Sequence, residues 1–197
     1  MLTLFINNYL KLVFMMTPFF VLSAYISMTA DMTKKSAQQI SIKTTFSVLV
    51  SCFSVFFFGK YIFALFGITL DAFRIGAGSV LFLNALAMIN TRNDIDTIDD
   101  QSDISVVPLA IPITVGPGMI GVLMVMGAEP KTPAELLFFS GALLSAGLTI
   151  GIVLMSARLI QQYLSPNGIS VLQKITGLFV SAIAAQIIFT GIKGFLF

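Results

Sequence analysis

Histidine and tryptophan are absent from the 197 residues, cysteine occurs once, and charged side chains make up only 10%. Each shortage excludes something. Without histidine there is no Ser-His-Asp catalysis, no histidine metal ligation and no histidine proton relay. A lone Cys52 permits neither a disulfide framework nor a thiolate metal site. A soluble domain carries roughly 25% charged residues. The deficit here is what a lipid-solvated chain requires, because a charge at the bilayer centre costs about 3 kcal/mol or more. The net charge of +2 is too small to argue for nucleic acid, and no basic cluster with interleaved aromatics occurs. Apolar residues begin at Leu2, with neither a basic leader nor a small-residue cleavage pattern, so the N-terminus reads as part of a first span.

What is present is apolar: 57% of positions, with a mean hydropathy of +0.98. Six apolar stretches follow one another, bounded to within about four residues. They cover Leu4 to Met28, Thr45 to Phe66, Phe73 to Ile89, Val106 to Met126, Ala134 to Met155 and Ile169 to Ile192. Each is apolar on all sides, unlike the single stripe of a surface helix. The expected fold class is an all-α polytopic membrane protein with six transmembrane helices. Residues 91–105 form the longest linker and carry Asp94, Asp96, Asp99, Asp100 and Asp103. The linker lacks the glycine and terminal glutamate of an EF-hand, so it reads as solvated rather than calcium-binding. It divides a single membrane domain into residues 1–90 and 106–197, with three spans in each. Pro18 and Pro117 interrupt the first span of each half, and Arg74-Ile75 and Lys174-Ile175 open the third. A three-span repeat inserts its second copy upside down, the inverted-repeat design of many secondary transporters. Lys34 and Lys35 form the clearest basic cluster, which places their connection in the cytoplasm and both termini outside.

The segment from Pro108 to Gly118 carries the densest information. Pro108, Pro112 and Pro117 each remove a backbone N–H, and Gly116 and Gly118 flank the last of them. In hydrocarbon, backbone groups freed in this way are tolerable only where protein or a wet cavity surrounds them. Helices one and four are therefore expected to be broken, at Thr17-Pro18 and at Gly116-Pro117-Gly118. A half-helix starting at Pro117 presents unpaired N–H groups suited to a carboxylate. Half-helices ending near Thr17 or Val115 present carbonyls suited to an ammonium group or Na⁺. Thr17 and Thr114 add hydroxyls at the same depth. Two opposed helix ends thus suit a zwitterion without any ionised side chain. The candidate substrate-binding set is Thr17, Pro18, Thr114, Gly116, Pro117 and Gly118, with Asn84 and Gln186 as amides otherwise suited to helix–helix hydrogen bonds. No catalytic or metal-ligating residue is assigned, because no buried nucleophile–base pair is present. Gly76, Gly78 and Gly177 read as close-packing positions, and Asp71 and Arg74 as an interfacial pair.

These residues resemble the MarC family of bacterial and archaeal inner-membrane proteins, which includes the SnatA-type neutral amino acid transporters. The resemblance covers nearly the whole chain. It is carried by Pro108-Leu-Ala-Ile-Pro112 with Gly116-Pro-Gly118, by Phe66-Gly-Ile-Thr-Leu-Asp-Ala-Phe-Arg-Ile75 with Gly76-Ala-Gly78, and by Lys174-Ile-Thr-Gly-Leu178 with Gly191-Ile-Lys193. It implies six helices in two inverted three-helix repeats and a substrate site between broken helices one and four. It also implies a multi-pass protein of the inner (plasma) membrane carrying a small neutral amino acid such as glycine or alanine. In the family, Asn-Pro or Asp-Pro followed by glycine stands in span one; here Thr17-Pro18-Phe19-Phe20 stands there, which keeps the proline alone. Phe19 and Phe20 crowd a site for a small substrate, so a structural or regulatory membrane protein with a degenerate site is the alternative. The expected partners are the bilayer and a small-molecule substrate, and no nucleic acid. A homo-oligomer is admitted but not required. No cofactor is expected, with Na⁺ the one candidate coupling ion.

Overall fold

The computed structural model describes residues 2–90, 109–129 and 132–196. Among them every regular element is helical: α1 (Leu2–Met15), α2 (Pro18–Met28), α3 (Lys34–Phe66), α4 (Leu70–Asn90), a π-helical turn (Leu109–Thr114), α5 (Pro117–Ala128), α6 (Pro133–Met155), α7 (Ala157–Tyr163) and α8 (Pro166–Leu196). The acidic linker 91–105 lies outside the described residues.

Local chemistry sets the boundaries. Thr33 caps α3 by accepting from the Ser36 N–H, and Gly67 ends the helix in the left-handed conformation at φ 64°. Thr132 and Glu135 form a reciprocal capping box at the start of α6, with Pro133 in the first turn, where its missing N–H costs nothing. Pro18 and Pro117 likewise occupy the first turns of α2 and α5. Ser156 marks the step from α6 into α7, its N–H returning to the Ile152 carbonyl.

Among the described residues, four helices are long and apolar enough to cross a bilayer: α4, α6, α8 and the Lys34–Gly59 portion of α3. The α1–α2 pair, bent by 40° at its break, makes a fifth. α5 has 12 residues and is about 18 Å long, too short to cross the roughly 30 Å hydrocarbon layer by itself. The surface matches a lipid environment. Phe46, Phe58, Leu65, Leu137 and Ile152 point outward, while Leu12, Met16, Leu22, Leu123 and Leu143 are fully buried. Buried hydroxyls are satisfied at home, as a dry interior demands. Thr29 donates to the Tyr25 carbonyl and Thr176 to that of Leu172, while the Tyr25 hydroxyl donates across to the Ala37 carbonyl of α3.

The principal contacts join residues 2–90 to residues 109–196. α4 packs along α8, α1 on α6, α5 between α3 and α4, and α3 on α6. Glycines allow the closest approaches. A Cβ on Gly78 would lie 2.7 Å from Ile188 Cγ1 and 3.2 Å from the Ala184 carbonyl oxygen. A Cβ on Gly177 would lie 2.9 Å from Ile89 Cγ1 and 3.0 Å from the Ala85 carbonyl oxygen. Gly76, by contrast, has nothing within 4 Å of its Cβ position, so it is not the close-packing residue that the sequence suggested.

Candidate functional site

The first break is a left-handed residue. Thr17 adopts φ 49° and ψ 59°, the one non-glycine with positive φ among the described residues. For a β-branched side chain this conformation is an outlier, and it costs about 1–2 kcal/mol. It is held by bonds on both sides: the Thr17 N–H reaches the Phe14 carbonyl, and the Thr17 carbonyl accepts from Phe20 and Val21. The Thr17 hydroxyl makes no capping bond.

The second break has a different geometry. Pro112 has no N–H to donate, and the turn around it widens to the π spacing. The Val115 N–H closes on the Ala110 carbonyl at 2.9 Å, and the Thr114 hydroxyl donates to the Leu109 carbonyl at 2.7 Å. Gly116 follows in extended backbone at φ −75°, which any residue adopts, so its glycine is not needed for conformational freedom. Gly118 is needed for space: a Cβ there would lie 2.8 Å from the Leu81 Cα. α5 begins at Pro117, with the Ile120 N–H bonded to the Gly116 carbonyl. The amides of Gly118 and Met119 have no acceptor within the helix.

Between the two breaks lies a cavity of about 330 Å³. Thr17, Asn84, Thr114, Gly116 and Pro117 of the sequence-derived set line it together. Pro18 is buried at the start of α2, and Gly118 faces Leu81; neither contributes to the wall. Gln186 lies elsewhere, in a second cavity of about 220 Å³. Phe20, which the sequence set against the site, lines it and Phe19 does not; sequence reasoning missed the rest of the apolar wall, formed by Met15, Leu81, Met88, Ile113, Met119 and Val180. The helices α4, α5 and α8 carry no pronounced apolar face, so nothing in their pattern marks those positions. Among the described residues no ionisable side chain lines this cavity. The Asn84 amide faces it from within an otherwise apolar stretch of α4 and makes no hydrogen bond to the described protein. The residue is exposed at this opening, so its amide is accessible to a solute. No group of three or more potential metal ligands occurs among the described residues.

The second cavity is charged. Arg74 donates to Asp71 and to Glu129, each at 2.6 Å, so the expected Asp71–Arg74 pair forms and gains a partner from the end of α5. Lys11, Glu129, Gln186 and Met15 also line this space. Met15 lines both cavities.

A family model described as MarC family integral membrane protein matches residues 2–196. A UPF0056 membrane protein of Methanocaldococcus jannaschii is 32% identical, with the alignment covering 98% of this chain and 97% of that one. A second from the same organism is 34% identical over 98% of this chain and 88% of its own. The UPF0056 membrane protein YhcE of Escherichia coli is 32% identical over 91% and 87%. No solved structure matches.

Proposed function

The chain belongs to the MarC family of integral membrane proteins, and we propose that it is a secondary transporter of a small neutral amino acid, such as glycine or alanine, rather than an enzyme. The observation that carries this reading is the central cavity. Two helix breaks meet there with Thr17, Thr114 and the exposed Asn84 amide, and no ionisable side chain stands among the described residues of its wall. A zwitterion brings both charges with it. The free amides at the start of α5 suit its carboxylate, while the Thr17 and Thr114 oxygens and the Asn84 carbonyl suit its ammonium group. An apolar wall accepts the side chain. Na⁺, if it couples transport, takes the same kind of oxygen ligands.

The architecture we propose is six spans in two inverted repeats, with α1–α2 corresponding to the π turn with α5, α3 to α6, and α4 to α8. One chain offset supports it throughout. The offset that carries Pro18 to Pro117 also carries the helix cap Thr33 to the helix cap Thr132. The same offset carries Gly78 to Gly177, Ala85 to Ala184 and Ile89 to Ile188. The α4–α8 crossing is therefore reciprocal: Gly78 meets Ala184 and Ile188 while Gly177 meets Ala85 and Ile89. Such a contact is what a pseudo-two-fold axis between the halves produces. Rocking one half against the other about this axis exposes the central cavity to each side in turn. The membrane is the inner (plasma) membrane, with both termini outside and the Lys34–Lys35 connection in the cytoplasm.

Purified protein in liposomes tests the function. Counterflow of labelled glycine or alanine, abolished in Asn84→Leu, is the expected result. Absence of flux for every neutral amino acid, with folded protein in the membrane, would leave the structural or regulatory reading.

A further inference from the structure

A further cavity, of about 500 Å³ and so larger than the central one, lies at the far end of the spans from Arg74. It opens where α3 begins and α6 ends, between the last turn of α2 and the short helix α7. Both α3 and α6 are long enough to cross the bilayer, so this opening stands at the boundary between hydrocarbon and headgroups. The charged members of its wall are Lys34 and Arg158, and no carboxylate stands among the described residues there. Lys35 and one acid, Asp31, flank them along the chain. Asp31 forms no ion pair with these cations, so among the described residues three positive charges outweigh one negative. Arg158 donates from Nη2 to the Met32 carbonyl at 2.9 Å, which ties α7 to the connection before α3 and leaves its other N–H groups to the cavity. The exposed Gln38 and Gln162 amides add uncharged donors. Beside this polar wall, Met155 and Leu159 are 54% and 60% exposed and supply apolar surface at the same mouth.

We propose that this cavity binds the headgroup of an anionic phospholipid, with the phosphate between Lys34 and Arg158, the rest of the headgroup hydrogen-bonded to Gln38 and Gln162, and the acyl chains against Met155 and Leu159. A soluble phosphate meets only half of this site: the cations suit it, but the apolar mouth gains nothing from it. A lipid satisfies both, because its charge and its hydrocarbon lie on either side of the same boundary. The Arg158 guanidinium adds planar, paired donors matched to phosphate oxygens. The site requires neither transport nor a particular orientation of the chain in the membrane.

The chain contains no tryptophan, so Leu159→Trp places a single fluorescent reporter at the mouth of the cavity. Full-length protein is reconstituted in mixed vesicles of phosphatidylglycerol and phosphatidylcholine with identical chains, one lipid or the other carrying brominated chains that quench the reporter on contact. At equal mole fraction, brominated phosphatidylglycerol is expected to quench more. A reporter in Leu137→Trp, exposed near the other end of α6, should show no preference. Removing one charge in Lys34→Gln should lower the preference about fivefold, and Lys34→Arg should restore it. Arg158→Gln, read by the same ratio, should lower it similarly and provides the second measurement. Lys35→Gln removes the same charge from outside the wall and should leave the preference nearly intact. Equal quenching by the two lipids in the parent, or a preference indifferent to both Lys34→Gln and Arg158→Gln, would overturn the site. An equal loss in Lys35→Gln would reduce the effect to general surface attraction and overturn it as well. Relief of the quenching by inorganic phosphate, at matched ionic strength, would make a soluble anion the occupant and overturn the lipid assignment.

Discussion

Replacing Thr17 separates the strain at the first helix break from the chemistry of the cavity beside it. Thr17 holds φ 49° and ψ 59°, a conformation that costs an L-residue about 1–2 kcal/mol and suits a β-branched side chain worst. Asparagine enters this region far more readily. The Thr17 hydroxyl makes no cap bond that asparagine would forfeit. Thr17→Asn should therefore stabilise the protein by about 1 kcal/mol. For a chain of this length that is a rise of about 2–4 °C in melting temperature. Thr17→Gly should gain less, because glycine adds about 0.4–1 kcal/mol of unfolded-chain entropy. Thr17→Val keeps the shape and the strain but removes the hydroxyl from the cavity, so it should melt near the parent temperature while substrate affinity falls. Thermal unfolding in detergent, followed by calorimetry, and equilibrium binding on the same samples read the two effects apart. If Thr17→Asn melts no higher than Thr17→Val, the break is not strained in the way the dihedral angles imply.

The two glycines flanking Pro117 should behave differently. Gly118→Ala drives a methyl group towards the Leu81 backbone and should cost about 1–3 kcal/mol, read as a lowered melting temperature. Gly116→Ala, in extended backbone, should fold normally and alter affinity alone. Arg74→Gln strips Asp71 and Glu129 of a shared partner and should cost about 1–3 kcal/mol; denaturation of the variant beside Arg74→Lys measures this. Uptake into liposomes should not be driven by a pH gradient without Na⁺, since no titratable group stands among the described residues of the central cavity wall. Proton-driven accumulation that Glu129→Gln or Asp71→Asn abolishes would identify the carrier overlooked. For topology, a cysteine at position 130 should react with an impermeant reagent from outside and one at position 97 should not; the opposite pattern reverses the orientation.

The sequence announced its breaks because proline is the one residue whose backbone chemistry is visible without a structure. Pro18 and Pro117 stand at the two helix starts that the pattern suggested. The Asp71–Arg74 pair was legible for a similar reason, being three residues apart on one helix. Glu129 was not, because its contact with Arg74 spans 55 residues. Lys11 lies in the wall of the second cavity. Asn8 and Lys11, three residues apart on α1, form a polar face there, whereas α4, α5 and α8 have none to mark direction. The internal similarity was half visible. Arg74 with Lys174 is one residue out of step with Pro18 and Pro117, and on a helix one residue turns a side chain through about 100°. Gly78 and Gly177 have the register that the α4–α8 crossing follows, but single small residues are too common in membrane helices to stand out.

Contacts that run mainly between the halves also govern how the chain is made. When residue 90 has left the ribosome, three helices are in the bilayer with hardly any of the surfaces they will pack against. α4 awaits α8, α1 awaits α6, and α3 awaits α5 and α6. At about 5–20 residues per second, the remainder takes roughly 5–20 s to arrive. For that interval the first half is an unassembled client, exposing Gly78, Thr17 and Lys11 to lipid or to whatever insertion machinery shields them. Membrane quality control therefore meets this protein at its most vulnerable midway through synthesis, and a stalled or truncated first half is a natural substrate for proteolysis.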